Sequence, residues 1–344
     1  MSCDSGQLGF VVIGRNEGPR LGRCLASLAG RGQHLVYVDS GSRDDSVAIA
    51  RRFGAGVVEL TADEPFTAAR ARNAGAKWMH DHHPAVQFVQ FLDGDCELVA
   101  GWLDASLETA ARDPRSAVVA GRVRERRPET SIYNRLCDLE WSMLSKKDGV
   151  CGGNSLVRLA AFRQVGGFDQ GIMSGEEADL CKRLRQHGWS VSVLPDAMVL
   201  HDADIRQFGA WWRRSVREGH CIAEEAWRDT GEDGSSCLRA LGSVMLWSVV
   251  LPALAVGAAW PTYGLSLLII LNVYLLQWHR IARRGRQAGW LPGEARLYAA
   301  FTLVGKFAFL IGALKFVGRA LLSRPRSIID HKTPQVAEPI PEAP

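Results

Sequence analysis

The chain has 344 residues, enough for about two domains at roughly 150 residues per domain. Hydrophobic residues make up 47% and charged residues 23% of it, which excludes a wholly disordered or collagen-like chain. The net charge of +4 is too small to indicate nucleic acid, and we expect no nucleic-acid partner. The charge is uneven, because residues 240–278 carry none, whereas residues 279–344 have 11 Lys and Arg against 4 Asp and Glu. This distribution indicates a membrane surface as a partner.

The first 200 residues alternate between strand and helix patterns. Apolar runs typical of buried strands are Leu8–Ile13, His34–Val38, Val57–Leu60 and Val86–Leu92, and the helical patterns between them are Leu21–Leu28, Asp44–Phe53 and Thr67–His80. Repeated β-α-β units predict an α/β domain with a mostly parallel central sheet, which we bound at residues 1–203. In such sheets, ligands bind beyond the carboxyl ends of the strands.

Polar side chains follow three of the predicted strands, at the ends where a ligand would bind. Asn16 and Glu17 follow the first strand, Asp39 the second, and Asp93 and Asp95 the fourth. Two carboxylates on either side of a glycine can approach one divalent cation, and hard oxygen ligands suit Mg²⁺ or Mn²⁺ bridging a diphosphate. Such a pair alone is more often a surface turn. Its place after a buried strand favours a metal site.

Several segments resemble one known family. They are VVIGRNEGPRLGRCLASL, VYVDSGSRDDS, ARARNAGAKW and FLDGD, followed by GGNSLVRLAAFRQVGGFD and GEEADLCKRLRQHGW. In this order they make residues 8–200 similar to family 2 glycosyltransferases. The resemblance implies a GT-A fold, which binds a nucleotide-sugar across the carboxyl edge of its sheet. It also implies transfer of a sugar from that donor to an acceptor.

The resemblance also implies a role for individual residues. The implied donor-binding residues are Asn16, Glu17, Asp39, Arg70, Arg72, Asn73 and Asp93, the acceptor-side residues are Gly153, Asn154 and Glu176, and the ligands of Mg²⁺ or Mn²⁺ are Asp95 and His201. Glu177 is the implied general base, because an acceptor hydroxyl must lose its proton as it attacks the anomeric carbon. Without the resemblance, the two arginines also fit a solvated helix face and the acids a helix N-terminus. Gly14 stands where the family more often has Pro, which leaves the nucleotide open.

The pattern after the α/β domain predicts a lipid-facing region. Residues 204–239 contain a predicted amphipathic interfacial helix and a linker. Residues 240–278 as one helix would be about 58 Å long, nearly twice the hydrocarbon thickness. Trp260 and Pro261 interrupt this run, so we predict a helical hairpin within a membrane region at 240–322.

The basic residues give this region an orientation. The loop 279–296 is rich in arginine and is therefore expected in the cytoplasm, together with the α/β domain. A third full span over 297–322 would export the basic, then Pro-rich tail at 323–344. We therefore predict an interfacial or re-entrant helix over 297–322, in preference to a span.

These features predict an inverting, metal-dependent glycosyltransferase in the inner (cytoplasmic) membrane. Its expected partners are a nucleotide-sugar donor, a lipid-linked or other membrane acceptor, and the lipid bilayer. The expected process is the synthesis of a cell-surface polysaccharide or glycolipid. The Q-x-x-R-W motif of processive synthases is not found, which favours one transfer per encounter. The alternatives are a nucleotidyltransferase on a related fold and a non-catalytic nucleotide-sugar-binding membrane protein.

Overall fold

A computed structural model describes residues 5–31, 34–144, 151–172, 175–228 and 232–322. The predicted tail at 323–344 and the short stretch 229–231 of the predicted linker lie outside the described residues. The described residues divide into two compact units. One unit comprises 5–127 and 140–204, and the other comprises 128–139 and 205–322.

The first unit is built on one eight-stranded sheet. Its strands are β1 (Leu8–Gly14), β2 (His34–Asp39), β3 (Gly56–Glu59), β4 (Phe88–Asp93), β5 (Cys96–Leu98), β6 (Ser116–Glu125), β7 (Ser155–Arg158) and β8 (Ser190–His201). They lie in the order β3-β2-β1-β4-β7-β6-β8-β5. The helices before β8 are α1 (Pro19–Ser27), α2 (Ser46–Arg52), α3 (Ala68–His82), α4 (Trp102–Arg112), α5 (Ile132–Leu144), α6 (Leu159–Gln164) and α7 (Glu176–Gln186), with α5 divided between the two units.

The central strands are buried on both faces because helices cover both sides of the sheet. Val11, Val36 and Val89 are fully buried in one hydrophobic cluster, which also contains Met79 of α3. Residues on the opposite faces of the same strands form a second cluster against α1 and α4. This explains why β1, β2 and β4 are near-continuous apolar runs in the sequence.

The predicted fold class is confirmed. β3, β2, β1 and β4 pair in parallel, and β6 is parallel to β8. β7 is antiparallel to both β4 and β6, and β5 is antiparallel to β8. The result is an α/β unit with a mostly parallel sheet, followed by helices.

The second unit is helical. Its main helices are α8 (Phe208–Arg228), α9 (Glu232–Met245), α10 (Leu251–Gly257), α11 (Leu265–Gln287) and α12 (Pro292–Leu321). A π-helical turn at Leu246–Val250 joins α9 to α10. Pro252 follows that turn, and its missing N–H and its ring disrupt the regular hydrogen-bond ladder there.

In the part of the chain that the structure describes, three helical segments are long and apolar enough to cross a membrane: Ser236–Gly257, Leu265–Gln287 and Pro292–Leu321. The first two are separated by a turn where the sequence has Trp260 and Pro261. In that turn Trp260 is 93% exposed and Tyr263 is 100% exposed. Exposed Trp and Tyr between two apolar helices suit the membrane–water interface.

Candidate active site

The carboxyl ends of three parallel strands bring the first set of polar residues together. Gly14 of β1 lies opposite Asp39 of β2, and Ile13 lies opposite Asp93 of β4. The segment after β1, which carries Asn16 and Glu17, therefore starts between the two aspartates. The sequence placed these residues at strand ends, and the parallel register puts the ends at one edge.

The antiparallel strands add residues to the same edge. β7 runs opposite to β4 with Ser155 beside Phe91, so Asn154 precedes β7 at the edge where β4 ends. His201 ends β8 and pairs with Cys96 of β5, and Cys96 is the residue directly after Asp95. Residues that follow the parallel strands β1, β2 and β4 thus meet residues of the later strands β7 and β8 at one site.

Asp39 and Asn16 organise the loop that follows β2. The Asp39 carboxylate accepts hydrogen bonds from the Tyr37 hydroxyl at 3.0 Å and from the backbone N–H groups of Gly41 and Ser42 at 2.9 and 2.7 Å. The backbone N–H of Asn16 donates to Ser42 Oγ at 2.9 Å. The structure therefore gives both residues a loop-holding role, and donor binding stays a prediction for them.

Glu17 is buried beneath this loop. Its carboxylate lies 3.1 Å from the Arg20 guanidinium, and its backbone N–H donates to Ser46 Oγ at 3.0 Å. These contacts tie the segment after β1 to α1 and α2. Donor binding by Glu17 also stays a prediction.

Arg72 links the end of β4 to the first turn of α7. Its guanidinium is only 4% exposed and lies 3.0 Å from Asp93 Oδ1, 3.0 Å from Glu176 Oε1 and 3.5 Å from Glu177 Oε1. Burial alone would lower the pKa of Arg72, but the three carboxylates raise it above its ordinary value. The resemblance implied donor binding by Arg72, and this stays a prediction. The structure shows Arg72 in contact with carboxylates of both β4 and α7.

Glu177 has the electrostatics of a proton acceptor. It lies in the first turn of α7, and its side chain is 20% exposed. Burial, and then the neighbouring charge of Glu176, raise the pKa of Glu177 from its ordinary 4.5 to about 8, against the opposing effect of Arg72. A carboxylate with a pKa near working pH is well matched to general-base catalysis.

Asp93, Asp95 and Cys96 form the one group of potential metal-ligating side chains found in the described part of the chain. Their ligand atoms all lie within 4.8 Å of one another. His201 Nε2 lies 3.9 Å from Asp95 Oδ2. Burial raises the pKa of the Cys96 thiol well above its ordinary value, so the hard aspartate oxygens are the better ligands. The donor set fits Mg²⁺ or Mn²⁺.

Glu125 orients His201, and the sequence analysis did not identify it. The Glu125 side chain is fully buried at the end of β6, with Oε2 3.1 Å from His201 Nδ1. A carboxylate only accepts, so Nδ1 donates to Glu125, and Nε2 is the ring nitrogen that would face a metal. Such carboxylate–histidine pairs orient metal-binding imidazoles. The sequence signal was an acidic residue on an otherwise basic strand end, GRVRERR.

Asn154 and Gly153 fit closely against the carboxylate cluster. Asn154 Oδ1 accepts the backbone N–H of Asp93 at 2.9 Å, and its Nδ2 donates to Asp93 Oδ2 at 3.2 Å. A Cβ on Gly153 would lie 1.9 Å from Arg72 Nη2 and 3.2 Å from Glu177 Oε1. Only glycine leaves room here for the guanidinium.

Two predicted donor-binding residues lie away from this cluster. Arg70 donates to the carbonyls of Thr61 and Glu64 at 3.0 and 2.8 Å. The Asn73 amide exchanges hydrogen bonds with the backbone of Phe168 at 2.7 and 2.9 Å. Both side chains hold neighbouring segments in place, and their contact with a donor stays a prediction.

Comparisons with known proteins agree with this geometry. The family described as Glycosyl transferase family 2 matches residues 10–165. Pre-mycofactocin glycosyltransferase of Mycobacterium tuberculosis is 30% identical over 296 residues, which cover 81% of this chain and 58% of that protein. The chain thus spans little more than half of that relative. N-acetylglucosaminyl-diphospho-decaprenol L-rhamnosyltransferase of Mycobacterium tuberculosis is 27% identical over 239 residues, or 56% of this chain and 75% of that protein.

A solved structure shares the fold. Mannosyltransferase PcManGT from Pyrobaculum calidifontis, in complex with GDP-Man and Mn²⁺, matches with a TM-score of 0.55 and 16% identity. The match covers 90% of this chain and 87% of that one. On its family match and its relatives, the chain carries a glycosyl transferase family 2 domain at residues 10–165, on a GT-A fold.

Proposed function

We propose that the protein is an inverting, metal-dependent glycosyltransferase that moves one sugar from a nucleotide-sugar to a membrane-associated acceptor. The observation that carries this proposal is the double contact of Arg72. One guanidinium holds Asp93, which belongs to the donor-side pair of aspartates, and Glu177, whose raised pKa suits a base. Donor-side and base residues are therefore held within one cluster.

The reaction is a single displacement. Glu177 accepts the proton of the acceptor hydroxyl while the oxygen of that hydroxyl attacks the anomeric carbon. The nucleoside diphosphate leaves from the opposite face. One displacement inverts the anomeric configuration. Asp95 and His201 would hold the divalent cation, with Glu125 orienting the imidazole, and the bound cation would stabilise the charge that develops on the diphosphate.

A membrane-associated acceptor is supported by two observations. Three helices of the second unit are long and apolar enough to cross a membrane. The name of the rhamnosyltransferase relative gives a diphospho-decaprenol as its acceptor. A lipid-linked sugar in the inner membrane, used for a surface polysaccharide or glycolipid, fits both.

The raised pKa of Glu177 beside the donor-side aspartate distinguishes this function from its alternatives. A protein that only binds nucleotide-sugars needs no carboxylate with a raised pKa beside its donor site. A nucleotidyltransferase would cleave a nucleoside triphosphate and release pyrophosphate, and it would need cationic groups for that phosphate. In this site the Arg72 guanidinium is already in contact with three carboxylates.

A screen of nucleotide-sugars with the purified full chain tests the function. We expect one class of nucleotide-sugar to raise the unfolding temperature in the presence of Mn²⁺ or Mg²⁺, with slow hydrolysis of the same donor. EDTA should remove both effects. Release of pyrophosphate from a nucleoside triphosphate and a sugar phosphate would instead identify a nucleotidyltransferase. Binding without any hydrolysis or transfer would favour the non-catalytic alternative.

Gly153→Ala should impair turnover without unfolding the protein. The new methyl group must displace Arg72 or Glu177, since it would lie 1.9 Å from Arg72 Nη2. A displacement of about 1 Å can cost about 10²-fold in rate, so we expect a fall of roughly that size in initial donor turnover. Gly152→Ala is the matched control, because a Cβ there meets no atom within 4 Å. Equal rates for the two variants would contradict the proposed packing.

Reporter fusions test the proposed location in the inner membrane. A reporter fused after Gly289, which follows the arginine-rich end of α11, should be active on the cytoplasmic side. A reporter fused after Tyr263, in the turn between α10 and α11, should be active on the opposite side. The reverse pattern would place the α/β unit outside the cytoplasm and contradict the use of a cytoplasmic nucleotide-sugar.

A further inference from the structure

α8 and α12 pack with their backbones in contact. A Cβ on Gly219 of α8 would lie 2.3 Å from the carbonyl oxygen of Phe309, and one on Gly312 of α12 would lie 2.0 Å from the carbonyl oxygen of Val216. The contact continues at one end, where the Trp211 and Phe301 rings lie 4.8 Å apart. Glycines at both contact points allow this close approach.

The contact runs along both helices in the same direction. Trp211 lies beside Phe301, and four turns of α12 later the His220 and Phe316 rings are 5.4 Å apart. Residues 211–220 of α8 therefore follow residues 301–316 of α12, which form the middle of the third candidate span. If this part of α12 crossed the hydrocarbon, residues 211–220 of α8 would lie beside it at the same depths.

α8 is too polar to share a position inside the hydrocarbon. Between positions 213 and 225 it carries Arg213, Arg214, Arg217, Glu218, Glu224 and Glu225. A single charge at the centre of a bilayer costs at least about 2.5–3.5 kcal/mol. The face of α8 that could have met lipid (Trp211, Ser215, Val216, Gly219 and Ala223) is buried within the unit. Contact with α12 thus covers part of this face of α8.

The free face of α12 is apolar. Val304, Phe307, Ile311 and Leu314 are exposed by 38–60% and recur at intervals of three and four residues, so they form one stripe on the helix. Lys315, which is exposed, lies next to this stripe in the sequence and suits anionic headgroups. The stripe belongs to the same unit as the apolar helices α10 and α11, so a bilayer is already its neighbour in the proposed location.

We propose that α12 lies in the plane of the cytoplasmic membrane interface, with the stripe Val304, Phe307, Ile311 and Leu314 in the lipid and α8 as its cover on the water side. This inference rests on the proposed membrane location. Of the described residues, two segments then cross the bilayer, Ser236–Gly257 and Leu265–Gln287.

Spin-label depths measured on the full chain in nanodiscs test this arrangement. Single cysteines replace Val304, Phe307, Ile311 and Leu314 in turn, in a background with Cys3, Cys221 and Cys237 changed to serine. The nanodiscs contain phosphatidylcholine and phosphatidylglycerol. From 304 to 314 a spanning helix would change depth by about 15 Å at small tilt. We expect four similar depths, about 5–10 Å below the headgroups.

Labels at Leu267, Leu271 and Leu275 of α11 are the matched control, since these exposed positions belong to a proposed span. Their depths should change steadily, by about 12 Å in all. If the α12 labels show a similar gradient through the bilayer centre, α12 spans and the proposal is overturned. If the α11 labels are exposed to water, the membrane location itself fails, and with it this inference. Sugar transfer measured on the same samples tests the proposed activity separately from the label depths in α11 and α12.

Discussion

Glu177→Gln should lower the rate of sugar transfer by about 10²–10⁴-fold, the usual contribution of a general base. Glutamine keeps the size and hydrogen-bonding shape of the side chain but cannot accept the acceptor proton. Asp93 keeps its contacts with Arg72 and Asn154, so the affinity for the donor should hardly change. Initial transfer rates and donor dissociation constants measured side by side give both quantities.

Glu176→Gln is the control for this assignment. Glu176 makes the shorter contact with Arg72, at 3.0 Å against 3.5 Å for Glu177, and it is the more buried of the two carboxylates. Removing the charge of Glu176 should therefore disturb the position of Arg72. The rate of transfer should fall by less than in Glu177→Gln, because Glu176 is not the proposed base. An inactive Glu176→Gln together with an active Glu177→Gln would exchange the two roles.

The pH dependence gives an independent check on the same residue. The pKa of Glu177 is raised to about 8, so its basic form accumulates only as the pH rises, and kcat/KM should climb to a plateau above about pH 8. Removing the charge of Glu176 should move that rise to lower pH. A raised folded-state pKa also means that the free energy of unfolding falls as the pH increases from about 4.5 to about 8. Glu177→Gln should lack that fall.

Asp95→Ala should abolish transfer, with a loss on the order of 10³-fold or more, because charge stabilisation by a bound cation accounts for several kcal/mol. Mn²⁺-dependent binding of the nucleotide should disappear with it. The protein should still fold, as measured by its unfolding temperature without metal.

Asp104→Ala provides the matched control, because Asp104 is an exposed carboxylate in the first turn of α4, outside the site. It should keep both transfer and Mn²⁺-dependent binding. Calorimetric titration with Mn²⁺ separates loss of the metal from general damage. Undiminished transfer by Asp95→Ala would remove the metal role from this residue.

Sequence reasoning found the strand ends but not the direction of each side chain. Asp39, Asp93 and Asp95 were placed correctly at one edge, because the apolar runs before them fix where the parallel strands end. Arg70 and Arg72 lie two residues apart on α3 and therefore point to different sides of the helix. Which side meets the carboxylates depends on how α3 packs on the sheet, and a local pattern does not contain that information.

The partners of buried charges were also beyond the local pattern. Glu125 and His201 are 76 residues apart, and no local sequence pattern predicts that they pair. The contact between α8 and α12 is similar, because an amphipathic pattern predicts a buried face but does not say whether lipid or protein covers it. In α8, Trp211, Val216 and Ala223 are buried within the unit, whereas Phe208 and Trp227 are exposed.

The long reach of the contacts in the site has a consequence for how the protein folds. Arg72 and Glu176 are 104 residues apart, and Asp93 and Asn154 are 61 apart. These pairs form only after large loops have closed, which makes the site one of the last regions to be assembled during synthesis. A nascent chain that ends at residue 165 would hold Arg72 and Asp93 without Glu176 and Glu177. On the proposed function, the site is complete only once α7 has docked, and partly made chains lack the base.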